Sequence, residues 1–152
     1  MTNRTLLAFL LLFTAQINAE TVQPIERWYS GELIKTGKVI FKNNCASCHG
    51  DKAQGLHKDW KTPLEDGNYP PPPLNGTAHA WHHPISVLAH YIYNGGKKYG
   101  GVMPGFNGKI SQTEAASAIA YIQSYWDDKL YQAWLDRGGM DVDLSPSVDK
   151  KR

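Results

Sequence analysis

The stretch NNCASCHGD, residues 43–51, contains both cysteines of a 152-residue chain, with His49 directly after the second one. All three side chains can bind a metal ion, and the thiols can also form covalent bonds. A disulfide between Cys45 and Cys48 would close a very small loop and would constrain little of the unfolded chain. The pattern therefore indicates a cofactor or redox site rather than a structural cross-link.

The spacing C-x-x-C-H is typical of covalent haem attachment. Two thiols on one turn can each form a thioether with a vinyl group of the same porphyrin, and His49 can then offer a nitrogen to the iron. A thioredoxin-like pair is expected in a βαβ context, which is not visible here. A zinc site would require two further ligands at a short, regular spacing. The motif predicts one haem on Cys45 and Cys48, with His49 on the iron.

The bulk composition is that of one globular domain. Hydrophobic residues make up 41% and charged residues 20% of the chain, which allows a packed core and excludes general disorder. The formal net charge of +2 is too small to indicate nucleic-acid binding. A length of 152 residues suggests a single domain.

The N-terminus has the layout of a secretory signal peptide, predicted over residues 1–19. Arg4 precedes an apolar run over residues 6–13, and small and polar residues lead to Ala19. The run is shorter than the about 20 residues that a membrane-spanning helix needs, although an uncleaved anchor is the alternative. We expect a periplasmic protein with its folded domain over residues 20–140 and no membrane span after signal removal.

The C-terminal residues 141–152 are predicted to form a flexible tail, because they are mostly polar and end in DKKR.

A second candidate ligand lies in YGGVMPGF, residues 99–106. Glycines on both sides allow the backbone to pass close to a flat cofactor, and Pro104 keeps this stretch out of a helix. Haem iron in an electron carrier needs a sixth ligand, and a Met thioether favours ferrous iron and raises the potential. Met103 is the candidate, and Met140 in a polar stretch is a weaker one.

These motifs resemble those of the class I c-type cytochromes, small helical electron carriers with one haem. The resemblance covers about residues 30–130, and its most specific elements are residues 45–49 and the pair Met103-Pro104. It implies an all-α cytochrome c fold of three to five helices around one covalently bound haem, with His49 and Met103 as axial ligands. It also implies redox protein partners, with a dehydrogenase or reductase as donor and an oxidase or membrane complex as acceptor.

The first helix is predicted over residues 31–44, where Ser30 can serve as the N-cap. Gly37 in its interior costs about 1 kcal/mol relative to Ala and needs a packing reason. In class I cytochromes, a Gly and an aromatic residue four positions later let the first helix cross closely over the last one, and Gly37 and Phe41 match that pattern. Tyr121 occupies the place of the family aromatic that packs on the first helix.

Three further helices are predicted, and no segment shows strand alternation. The last main helix begins with the capping box SQTE at residues 111–114. Another helix over residues 84–94 has a proline at its first turn and Gly95 just past its end. Residues 127–137 indicate a shorter helix.

The proline-rich segment YPPPPLNG, residues 69–76, is extended and supplies carbonyl groups without competing N–H groups. In the family, a Pro-x-Leu-x-Gly segment crosses the proximal side of the haem, and its proline carbonyl accepts a hydrogen bond from the ligand histidine. Pro72, Leu74 and Gly76 match this segment. A semi-rigid spacer or a surface recognition segment is the alternative.

The segment HAWHHP, residues 79–84, groups His79, His82 and His83 around Trp81. Such clusters in exported proteins can bind copper or zinc, but no carboxylate or thiol lies nearby in the sequence. We expect a turn at a helix entry, with Trp81 near the haem edge, and a second metal as the alternative.

The function predicted from these residues is that of an exported monohaem cytochrome that carries single electrons. An enzyme would need an exchangeable sixth site and an acid–base group, and Met103 fills that site. The alternatives are a haem-containing subunit of a periplasmic dehydrogenase for a small sulfur or organic substrate, a peroxidase, and a haem-linked copper-handling protein. No nucleic-acid partner is expected.

Overall fold

The structure, a computed structural model, describes residues 24–142. The predicted signal peptide and residues 143–152 of the predicted tail lie outside the described residues. Within the described range the chain is helical and forms no strand, so the predicted all-α fold is confirmed. The helices are α1 (Gly31–Asn44), α2 (Ala46–His49), α3 (Ile85–Asn94), α4 (Gln112–Gln123) and α5 (Asp128–Asp136), with 3-10 turns at His79–His82 and Lys97–Tyr99. None of these helices is both long and apolar enough to span a bilayer.

The helices begin where side chains can accept hydrogen bonds from the first free N–H groups. The Ser30 hydroxyl accepts a hydrogen bond from the N–H of Leu33 at 3.2 Å and starts α1. At the start of α4, the Ser111 hydroxyl accepts from the N–H of Glu114, and the Glu114 carboxylate accepts from the N–H of Ser111 at 2.7 Å. The capping box read from the sequence is therefore formed.

Helices α1 and α4 cross with their backbones in contact at Gly37. A Cβ atom at this position would lie 1.8 Å from the Ser117 carbonyl oxygen and 3.0 Å from the Tyr121 Cβ. One turn further along α1, the Phe41 ring packs on Tyr121 with the ring centroids 5.2 Å apart. This crossing is the packing reason for a glycine inside the helix.

The hydrophobic core has two parts, and Leu74 packs against both. The larger part joins α3, α4 and α5 and consists of Ala80, Ile85, Leu88, Ile119, Trp126, Tyr131 and Trp134. The smaller part lies between α1, α4 and the C-x-x-C-H motif and consists of Phe41, Ala46, Ala53, Tyr121 and Ile122.

The segment after α5 is fixed against the start of α3. The fully buried Trp134 donates its indole N–H to the His83 carbonyl at 2.9 Å. Gly139 packs directly on that indole, and a Cβ atom at Gly139 would lie 2.2 Å from the Trp134 ring. The Asp141 carboxylate accepts hydrogen bonds from the N–H and the hydroxyl of Ser86. The first residue of the predicted tail is thus bonded to the helical body.

Replacing Gly37 by alanine is expected to lower the free energy of unfolding by about 3 kcal/mol, because the new methyl group meets a backbone carbonyl. Gly31→Ala is the matched control, since it lies in the same helix with no atom within 4 Å of the added Cβ. We expect Gly31→Ala to change the free energy of unfolding by less than about 1 kcal/mol. Denaturant unfolding of both holoproteins, followed by circular dichroism, measures the difference, and equal stabilities would contradict the close crossing.

Candidate haem site

The three side chains of the C-x-x-C-H motif share one helical turn. The chain breaks from α1 into α2 at Cys45, whose N–H still bonds to the Phe41 carbonyl at 2.8 Å. The Cys45 carbonyl in turn accepts from the N–H groups of Cys48 and His49 at 3.1 and 3.0 Å. Cys45 is half-buried against the smaller core cluster, and Cys48 is exposed.

Cys45 and Cys48 do not form a disulfide with each other. Burial and the neighbouring Cys48 raise the pKa of the Cys45 thiol to about 11. A thiol with this pKa is protonated near neutral pH.

The imidazole of His49 is buried and held in one orientation. Its Nδ1 lies 2.9 Å from the carbonyl oxygen of Pro72. Because a carbonyl can only accept, Nδ1 carries the proton and Nε2 keeps a free lone pair. Burial lowers the pKa of His49, and the hydrogen bond to Pro72 offsets part of this effect. A neutral imidazole whose other nitrogen is hydrogen-bonded is the form in which histidine binds metals.

The segment that carries the Pro72 carbonyl is anchored on both sides. The N–H of Leu74 donates to the Ala53 carbonyl at 2.7 Å, and the Leu74 carbonyl accepts from the Trp126 indole N–H at 2.9 Å. Gly76 has φ +96°, and a Cβ there would lie 3.2 Å from Trp126 Cδ1. The segment is therefore packed into the fold and is not a free spacer.

The loop that follows His49 is tied to α4 by Tyr121. The Tyr121 hydroxyl donates to the Asp51 carbonyl at 3.0 Å and lies 2.7 Å from the Tyr125 hydroxyl. Burial and the contact with Tyr125 raise the pKa of Tyr121 to about 12. The phenol therefore stays protonated over the physiological range and can serve as a donor to the loop.

Met103 lies in a loop that is clamped onto the C-terminal end of α3. The Met103 carbonyl accepts from the N–H of Gly96 at 2.9 Å. Gly95, with φ +72°, lies so close that a Cβ atom would be 2.5 Å from this same carbonyl oxygen. A Cβ atom at Gly105 would lie 2.5 Å from the Tyr93 carbonyl oxygen. Gly95 and Gly105 are thus required by close backbone contacts with the loop and with α3, and α3 determines where the loop runs.

The histidine cluster forms the predicted turn before α3, and its three rings divide between two separate contacts. The rings of His79 and His83 have centroids 5.5 Å apart, and His79 stacks on Trp60 at 5.1 Å. His82 instead packs on Trp81, with centroids 4.1 Å apart. Within residues 24–142, no group of three or more His, Cys, Asp or Glu side chains could hold a metal ion.

Two residues that hold the site carry no clear signal in the sequence. Ala53 is fully buried with φ +55°, and its carbonyl accepts from the N–H groups of both Leu74 and Asn75. Residues with left-handed backbone are usually Gly or Asn, so an alanine in the sequence does not predict this conformation. Trp126 reads from the sequence only as an apolar residue, and its bond to Leu74 spans 52 positions.

The donor groups of these residues fit a covalently bound haem. The chain offers two free thiols on one turn, a neutral imidazole with a free nitrogen beside them, and a thioether in a clamped loop. The fold and these groups together define a class I c-type cytochrome.

Comparison with known proteins gives the family. The model of the family "Cytochrome C oxidase, cbb3-type, subunit III" matches residues 32–122, which is more than half of the chain, and the chain belongs to that cytochrome c family. Cytochrome c6 from Synechocystis sp. is 29% identical to it over 86 residues, which are 57% of this chain and 60% of that protein. No solved structure matches the chain. The expected class and the expected covalently bound haem c are thereby confirmed.

Replacing Tyr121 by phenylalanine is expected to lower the free energy of unfolding by about 1 kcal/mol, because the bond to the Asp51 carbonyl is lost while the ring packing is kept. Tyr69→Phe is the control, since Tyr69 is 60% exposed, and its expected change is below about 0.5 kcal/mol. Thermal unfolding of the two holoproteins tests this. If the Tyr121 variant were as stable as the control, the hydrogen bond between Tyr121 and Asp51 would contribute nothing to stability.

Proposed function

We propose that this protein is an exported one-electron carrier in which Cys45 and Cys48 hold the haem and His49 and Met103 are the axial ligands of its iron. The observation that carries the proposal is the 2.9 Å contact between His49 Nδ1 and the Pro72 carbonyl. It fixes the proton on Nδ1 and leaves Nε2 as a ligand atom, on the same turn as the two thiols.

The proposed roles of the protein groups are to hold and tune the cofactor. When bound, the haem supplies a one-electron ferric/ferrous couple. The Pro72 carbonyl keeps the His49 ring in place and raises its basicity. The thioether of Met103 favours ferrous iron. His49 keeps its Nδ1 proton throughout, so electron transfer requires no proton movement by this residue.

The other proposed site residues hold in place the segments that carry the ligands. Leu74 and Gly76 keep the segment of Pro72 against the core, and Gly37, Phe41 and Tyr121 hold α1, which leads into the motif, against α4. Their expected contribution is to limit movement of the ligands when the iron changes its charge. Such rigid support is what an electron carrier needs from its protein.

The proposed location is the periplasm, on the evidence of the predicted signal peptide over residues 1–19. The proposed donor is a dehydrogenase or reductase. The proposed acceptor is an oxidase, which the name of the matched family supports, or another membrane complex. Encounters between electron-transfer proteins typically bury less than about 1,200 Å², so we expect short-lived complexes.

Met103→Ala is expected to leave the haem attached and to lower its midpoint potential by on the order of 100 mV, since axial ligands tune the potential over about 0.8 V. The ferrous variant should also bind carbon monoxide. Redox titration and carbon monoxide difference spectra measure both effects.

Met140→Ala is the control for this experiment, because Met140 packs against the larger core cluster. Its potential should match that of the unmodified protein. An unchanged potential in Met103→Ala would contradict the proposed ligand. Carbon monoxide binding by the unmodified ferrous protein would contradict a filled sixth site and favour the enzyme alternatives.

Two glycine variants test the position of the Met103 loop. Gly95→Ala adds a Cβ atom 2.5 Å from the Met103 carbonyl oxygen, whereas Gly100→Ala adds one with no atom within 4 Å. Gly95 combines φ +72° with ψ −176°, a conformation open almost only to glycine, whereas Gly100 has φ +78° with ψ +10°, in the left-handed helical region. Alanine is therefore disfavoured at Gly95 by the backbone as well as by the contact, and Gly100→Ala controls for a left-handed glycine without that contact. Gly95→Ala alone should weaken the charge-transfer band of methionine sulfur on ferric iron. Equal spectra for the two variants would contradict the proposal that contact with the end of α3 positions Met103 on the iron.

A further inference from the structure

The turn before α3 carries a pair of imidazoles that the proposed haem site does not use. His79 and His83 stand four positions apart around the 3-10 turn, with ring centroids 5.5 Å apart and ring planes at 79°. The adjacent His82 belongs to a different contact, because its ring packs edge-on against Trp81. The structure therefore pairs His83 with His79 and not with its neighbour in the sequence.

We propose that His79 and His83 together bind one divalent transition-metal ion of the zinc or copper type, with water completing its coordination. Imidazole is a preferred ligand of both metals. With a Zn–N distance of about 2.0–2.1 Å, the ion would lie about 3.2 Å from each ring centroid. The observed spacing of 5.5 Å between the two centroids is less than the about 6.4 Å that two imidazoles on one ion can span at that distance, so both rings can reach the same ion.

Neighbouring residues hold the ring of His79 and the backbone of His83, which reduces the entropy lost on binding. The indole of Trp60 stacks on His79 with the ring planes at 28°. The backbone of His83 is fixed because its carbonyl accepts from the buried Trp134 indole and its N–H donates to the Ala80 carbonyl at 3.2 Å. Such preorganisation favours ligand binding at a surface position.

The ion would have two protein ligands only, since no third His, Cys, Asp or Glu joins them within the described part of the chain. Open coordination positions distinguish this site from a closed structural zinc site, which has four protein ligands. The inference is independent of the proposed electron carriage, because neither histidine belongs to the haem motif or to the Met103 loop.

Calorimetric titration of the ferric holoprotein with Zn²⁺, in a buffer that does not chelate metals, tests the proposal. Zinc is the probe because it has no redox chemistry with the haem. We expect one equivalent to bind, and we expect His79→Gln and His83→Gln each to weaken it by about 10-fold or more. The double variant, which keeps neither imidazole, should show no stoichiometric binding.

His82→Gln and His90→Gln are the controls, and each should change the affinity less than twofold. His90 is exposed on α3, where it contacts Asn94 and Tyr99. The haem spectrum should stay the same on adding zinc, which separates this site from displacement of an iron ligand. The proposal is overturned by the absence of stoichiometric binding, by unchanged binding in both His79 and His83 variants, or by an equal loss in the controls.

Discussion

The hydrogen bond between His49 and the Pro72 carbonyl is the interaction on which the rest of the site depends. It joins the short helix α2 to a proline-rich segment 23 positions further along the chain. It determines which nitrogen of His49 is free, and thus which atom can reach a metal. A histidine without this partner could change its tautomer or rotate, and the turn that carries the thiols would not present a defined ligand.

The core stabilises this hydrogen bond, because core residues hold the segment that carries Pro72. Leu74 is bonded to Ala53 on one side and to the Trp126 indole on the other, and its side chain packs against both core clusters. Trp126 in turn packs edge-on against Trp134, with ring centroids 6.0 Å apart. The orientation of His49 is therefore coupled to the packing between α4 and α5.

The local features of the fold could be predicted from the sequence, because each depends on residues that are close together along the chain. The capping box at Ser111 and the α1 cap at Ser30 are of this kind. The long-range contacts could not be predicted in this way. The fixation of Asp141 on Ser86 and the support of Leu74 by Ala53 depend on pairings that no local pattern encodes. The resemblance to a known family pointed to Gly37 and Pro72, whose contacts are also long-range.

The most direct test of the account is the visible and near-infrared spectrum of the purified ferric protein, recorded together with extraction by acidified organic solvent. The haem is expected to stay with the chain on extraction, and the native spectrum is expected to show the weak charge-transfer band of methionine sulfur bound to low-spin ferric iron. A high-spin spectrum without that band would contradict the proposed ligation by His49 and Met103. Haem that moves into the organic phase would contradict its attachment to Cys45 and Cys48.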